Sequence, residues 1–386
     1  MFGGLAANVV VLGFVSMLTD VSSEMIYPLL PLFLTSVLGA GPAFLGVIEG
    51  IAEATASLFK LVSGMLSDRV GRRKSLVLGG YSLSSLSRPL IALATSPLAV
   101  LVIRFSDRLG KGIRTSPRDA LIADSVDASS WGRAYGFHRS MDHAGAIIGP
   151  LIASLLLGVA GFGLRTVFWL AAIPGIFAVV VIVFRVQEVK RRASANGTFL
   201  TALPRGRLRT FLSILFLFTL GNSTDAFLLL RASRLGVTPA VIPLLWMVFH
   251  LVKMGSSMPF GLLSDRIGRR GVIVAGWTIY ALSYLGFASA TTERQIWLLF
   301  MLYGLYYGLT EGVEKAFIAD MVAGQERGGA FGWYHCVIGI GTLPASIMFG
   351  LIWEHAGMHA AFLTGAALAA VASVLLLAGM GSLRRG

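Results

Sequence analysis

The chain of 386 residues has one cysteine, Cys336, so no disulfide can close within it. It contains no G-x-x-x-x-G-K-[ST] run, and nothing in it cradles nucleotide phosphates in the P-loop manner. Charge is scarce: Asp, Glu, Lys and Arg make up 13% of the residues against 55% hydrophobic, and the mean hydropathy is +0.78. Such a chain cannot be soluble as a monomer. No Lys or Arg precedes the first apolar run, and no small-residue cleavage site follows a short apolar core, so the N-terminus reads as a retained span and not a cleaved signal.

What is there instead is apolar sequence in lengths of about 20 residues, enough for a helix to cross a bilayer. Such stretches lie near 6–37, 42–66, 75–95, 133–158, 166–186, 208–231, 240–262, 271–290, 295–320, 329–352 and 360–381. The net charge of +13 would suggest nucleic acid in a soluble protein, but here the basic residues collect in alternate connections. Arg72, Arg73, Lys74, Arg205, Arg207, Arg266 and Arg270 fall on one side, and only Arg165, Arg231, Arg234 and Arg294 on the other. The positive-inside rule makes the first side cytoplasmic and places both termini there, provided the number of spans is even.

Even parity needs a twelfth span, and an internal repeat supplies it. GMLSDRVGRRK at 64–74 recurs as GLLSDRIGRRG at 261–271, and RDALIAD at 118–124 as EKAFIAD at 314–320. By this repeat the charged run 97–124 corresponds to the plainly apolar 295–320. On a helical wheel Asp107, Lys111, Arg114 and Arg118 share one arc beside Arg104 and Arg108, while Val102, Phe105, Leu109, Ile113 and Ala120 fill the opposite face. The run therefore predicts a membrane helix with one greasy side. Ten basic and ten acidic side chains fall within the twelve spans, a balance that favours internal pairing.

The two GxLSDRxGRR loops, each between the second and third spans of its half, resemble the signature loop of the major facilitator superfamily. The stretch TDVSSEMIYPLLPLFL is similar to a group of prokaryotic members, and Gly145-Ala-Ile-Ile-Gly149-Pro150 resembles the GxxxGP element of drug/proton antiporters. Without the resemblance, those glycines read as close helix packing. The resemblance implies an all-α membrane protein of twelve transmembrane helices in two pseudo-symmetric six-helix bundles, 1–186 and 208–386, joined by a basic cytoplasmic linker at 187–207. It also implies alternating access, with the first, fourth, seventh and tenth spans lining the cavity. In the signature loops Gly64, Asp68, Arg72, Gly261, Asp265 and Arg269 have a conformational role: each carboxylate can dock on a helix end or on its arginine and fasten one state.

The remaining in-span polar residues are candidates for cargo and protons. On the first span Asp20, Glu24 and Tyr27 share a face, and the mutual repulsion of two carboxylates one turn apart makes them candidate proton carriers, or else partners for the arginines of the fourth span. There Arg104, Asp107, Lys111 and Arg114 face inward. The fifth span offers His138 and Asp142, which could relay protons or bind a divalent metal; no His-x-x-x-His spacing accompanies them, and no metal or cofactor is assigned. Asn222 and Asp225, His335, and the Tyr307 and Glu311 surface complete the set, the last suited to a ring or a cation, or simply to packing. The repeat levels Arg118 with Glu314 and Asp119 with Lys315, opposite signs that predict a cytoplasmic gate.

These readings predict a secondary active transporter in the cytoplasmic membrane, not an enzyme, exporting a small organic solute in exchange for protons. Its partners are that solute, protons and the lipid bilayer, with no nucleic acid, and it is expected to be a monomer. Organic-anion uptake through Arg104, Lys111 and Arg114, divalent-metal efflux through Asp20, Asp142, His138 and His335, and lipid flipping are the alternatives.

Overall fold

The computed structural model describes residues 6–70, 72–127, 131–189, 204–322 and 327–379. They form twelve helical passages and no strand: α1 (Ala7–Val37), α2 (Pro42–Val70), α3 (Arg73–Leu93), α4 (Pro97–Asp124), α5 (Trp131–Gly158), α6 (Leu164–Arg185), α7 (Gly206–Arg234), α8 (Ile242–Ile267), α9 (Arg269–Ser289), α10 (Glu293–Ala319), α11 (Arg327–Ala356) and α12 (Met358–Gly379). Each matches a predicted span to within a few residues. Nine are apolar and long enough to cross a membrane by composition alone; α2, α4 and α8 are the others. Most of the predicted linker, 190–203, lies outside the described residues.

Local chemistry sets the helix ends. Ser96 opens α4, its hydroxyl accepting from the Ala99 amide, with Pro97 in the first turn. Thr292 and Gln295 make a capping box at the start of α10. Gly268, in the signature loop of the second half, has φ +98°, a backbone that favours glycine and lets α9 start straight after α8. Arginines close two other ends: Arg165 donates to the Ala92 carbonyl in the last turn of α3, and Arg231 to Phe287 and Ala290 at the end of α9.

Two helices depart from regularity. Around Pro28 and Pro31, α1 passes through a 3-10 turn at Tyr27–Leu29 and a π turn at Phe33–Val37. α7, predicted as continuous over 208–231, is broken: its first part ends at Gly221, Asn222 has φ −97° and ψ 85°, and helix resumes at Ala226. Asn, Ser, Thr and Asp in succession compete with the helix for backbone bonds. The freed Gly221 carbonyl accepts the Tyr280 hydroxyl at 2.8 Å, so the break is satisfied by protein.

The helices pack as two units: residues 1–40, 51–197 and 238–247 form the first, and 41–50, 198–237 and 248–386 the second. The same small-residue contact recurs in each. Any Cβ on Gly112 of α4 would meet Phe59 and Ala56 of α2, and one on Gly308 of α10 would meet Ser256 of α8. α4 buries its charge and exposes its grease: Arg104, Asp107 and Arg114 are 5%, 2% and 4% exposed, against 58% for Val102 and 40% for Phe105. That is the predicted wheel, and it is stable only with hydrocarbon outside.

Candidate functional site

In the first unit most of the charges of α4 have a close partner. Asp107 accepts from Arg88 Nε at 2.8 Å and faces Arg104 at 3.5 Å, and Arg88 also donates to the Thr19 carbonyl of α1. Arg108 pairs with Glu53 at 3.5 Å. Arg104 lies over the Tyr27 ring at 5.7 Å, and Arg114 over Tyr81 at 4.2 Å. Lower on the same helix, Arg118 bonds its neighbour Asp119 and donates to Ser16, which donates to Asp142. His138 sits 3.5 Å from Asp142, one turn along the same helix.

The helix-1 carboxylates lie at the closest approach of two helices. A Cβ on Gly145 would meet the Met17 carbonyl and stand 2.8 Å from Asp20 Cβ; one on Gly149 would meet the Val21 carbonyl and stand 2.9 Å from Glu24 Cβ. Pro150 is buried beside them. The glycines thus let α5 lie directly against the turn that bears Asp20 and Glu24. Glu24 accepts from the indole N–H of Trp246 at 2.7 Å, and Trp246 also packs on Tyr27 with ring centres 5.2 Å apart. Asp20 lies within electrostatic reach of Asp142, Glu24, Lys111 and Arg114.

The second unit is built around tyrosines. At the break in α7, Asp225 accepts from Tyr303 at 2.5 Å and from Tyr307 at 3.4 Å, and Asn222 donates to Tyr306. Tyr280, Tyr284 and Tyr303 are fully buried. Lys253 of α8 pairs with Glu311 at 2.9 Å and rests on the Tyr307 ring. Glu314 is 5% exposed, with one oxygen accepting from Trp277 and the other from Tyr334, both at 2.9 Å. His335 is exposed beside Tyr334.

An Arg118–Glu314 gate would therefore require each to exchange the partners it has here. Lys315 is half-buried. Among the described residues no three His, Cys, Asp or Glu side chains are grouped to hold a metal ion. In the signature loops Arg269 pairs with Asp265 at 2.9 Å, as expected, and also with Asp320 at 2.5 Å. In the first half the side chain of Asp68 lies outside the described residues; Arg73, not Arg72, pairs there with Asp124, and Arg72 is exposed. Gly64 faces Ser116 of α4, while Gly261 has open space.

Sequence reasoning gave no role to Arg88, Trp246, Lys253, Trp277, Tyr334, Asp124 or Asp320. For the last two a signal was present, since the repeat aligns both aspartates at the ends of RDALIAD and EKAFIAD. Arg88 and Lys253 fall among the ten basic residues within the spans, but nothing in the sequence points to their partners, and the tryptophans read as core.

The family described as Major Facilitator Superfamily matches residues 12–231 and again 210–382. An uncharacterized MFS-type transporter of Methanocaldococcus jannaschii is 35% identical over 382 residues, covering 97% of this chain and 95% of that one. The multi-drug resistance efflux pump PmrA of Streptococcus pneumoniae is 25% identical over 371 residues, 92% of each chain. Among solved structures, the nucleoside transporter NupG superposes with a TM-score of 0.80 at 14% identity, over 97% of this chain and 100% of that one. A peptide transporter, POT, does so with 0.81 at 13% identity, over 98% and 95%.

Proposed function

Because the chain belongs to the major facilitator superfamily, whose members are membrane transporters and not enzymes, we propose that it exports a small organic solute in exchange for protons. The observation that carries this is the placement of Asp20 and Glu24, one turn apart on α1, under the bare glycines of α5. Carboxylates inside a span are costly unless they are used. Lys111 and Arg114 lie within electrostatic reach of Asp20, so loss of its proton would change the charge balance along α4. A solute that needs the ionised pair competes with protons for it, which is what exchange requires. The relation to a multidrug efflux pump supports the outward direction. In this reading the protein works in the cytoplasmic membrane as a monomer with both termini inside.

In proteoliposomes given a pH step, with ethidium as probe cargo, the wild type should accumulate the dye. Asp20→Asn and Glu24→Gln should keep exchange down the dye gradient and lose pH-driven accumulation. Wild-type accumulation in both single variants rules this pair out as the coupling site.

Organic-anion uptake is the second reading, and Arg114 favours it. Its Nε and Nη1 make no hydrogen bond among the described residues, although the residue is only 4% exposed. An anionic probe taken up by the wild type but not by Arg114→Met would select this reading; efflux of ethidium would reject it.

A further inference from the structure

Lys253 is the one span lysine whose head group has both a carboxylate and a ring beside it among the described contacts: Glu311 Oε2 at 2.9 Å and the centre of Tyr307 at 4.3 Å. The pair is largely out of water, with the lysine side chain 14% exposed and the glutamate 27%. Tyr307 is fixed by Phe249, edge-on at 5.4 Å, and by its hydroxyl on Asp225. A carboxylate on one side and an aromatic face on the other are the features that recognise an organic ammonium. Here the protein's own ammonium fills them.

We propose that Glu311 and Tyr307 form an organic-cation subsite in which Lys253 is the resident competitor. A solute bearing an ammonium next to a ring displaces the lysine head group, which withdraws on its flexible stem; a compact point charge can do this more readily than a forked guanidinium. A built-in competitor leaves only a fraction of the sites open, weakening apparent affinity and easing release. This rests on the reading of the chain as a transporter of organic solutes.

The test is calorimetric binding of benzyltrimethylammonium to the purified full chain. Lys253→Met keeps the apolar stem without the charge and should tighten binding roughly tenfold, by removing the occupied fraction. Adding Glu311→Gln or Tyr307→Leu should abolish that gain, and Lys253→Arg should not produce it. Unchanged affinity in a folded Lys253→Met variant overturns the proposal. Should that variant not fold, the wild type decides: the ligand should speed acetylation of Lys253 by acetic anhydride, and an unchanged or slower rate overturns the proposal. Tightening without pH-driven flux of the same cation sinks the exporter reading alone; flux without tightening sinks only the subsite.

Discussion

Asp107 is the residue on which the charged helix depends. It is 2% exposed and receives Arg88 and Arg104, so removing it takes a shared counter-ion from two buried guanidinium groups. Breaking a buried pair from one side costs about 3–5 kcal/mol, whereas replacing both partners by apolar residues of similar size is often neutral. Asp107→Asn should therefore give a chain that aggregates on detergent extraction. Asp107→Leu combined with Arg88→Met and Arg104→Met, which removes both guanidinium partners along with the carboxylate, should recover much of the monodisperse fraction, measured by size-exclusion chromatography. Equal loss in the single and triple variants would show that Asp107 has some other role.

At the scale of elements, α5 rests on α1 through Gly145 and Gly149, whose Cβ positions are already occupied by α1 backbone. Gly149→Leu should push the helices apart and abolish transport while insertion into the membrane continues, checked by flux and by the yield of folded protein. Wild-type flux would mean that the approach has no functional role. This contact was legible in the sequence, because a GxxxG spacing has one dominant physical use in a span. The twelve helices were legible for a similar reason: a run of about 20 apolar residues seldom forms anything but a bilayer-crossing helix. α4 needed the repeat, since its charges hide a greasy face that only periodicity recovers. The break in α7 was not legible. Residues Gly221 to Asp225 sit inside an apolar run, and whether such residues interrupt a helix depends on a hydroxyl from elsewhere, here Tyr280, being ready to take the freed carbonyl. The partners of Glu24 and Glu314 were hidden too, because an indole or phenol that donates to a carboxylate looks, in sequence, like any core aromatic.

For the whole molecule, both units fasten a signature arginine to the aspartate that ends a long helix, Arg73 to Asp124 and Arg269 to Asp320. The second clasp is partly exposed, 20% and 44%, so it contributes about 1 kcal/mol. Asp320→Asn should change the turnover rate by roughly fivefold at unchanged cargo affinity, as expected for a contact that weights one conformation over another. A change in affinity at constant turnover would place Asp320 in the cargo path instead. The composition of the first unit has a further result, in time. Trp246, which donates to Glu24, follows it by 222 residues along the chain. At about 5–20 residues per second a ribosome needs roughly 10–45 s to make that stretch. Through that interval Glu24 lies in a growing, unfinished bundle without its donor, and residues 238–247, which complete the unit, have not been synthesised. Until the eighth helix arrives, Glu24 must therefore be served by water, lipid headgroups or the basic residues of earlier helices. A chain truncated before α8 should be cleared by proteases, whereas one ending just beyond Met247 should persist.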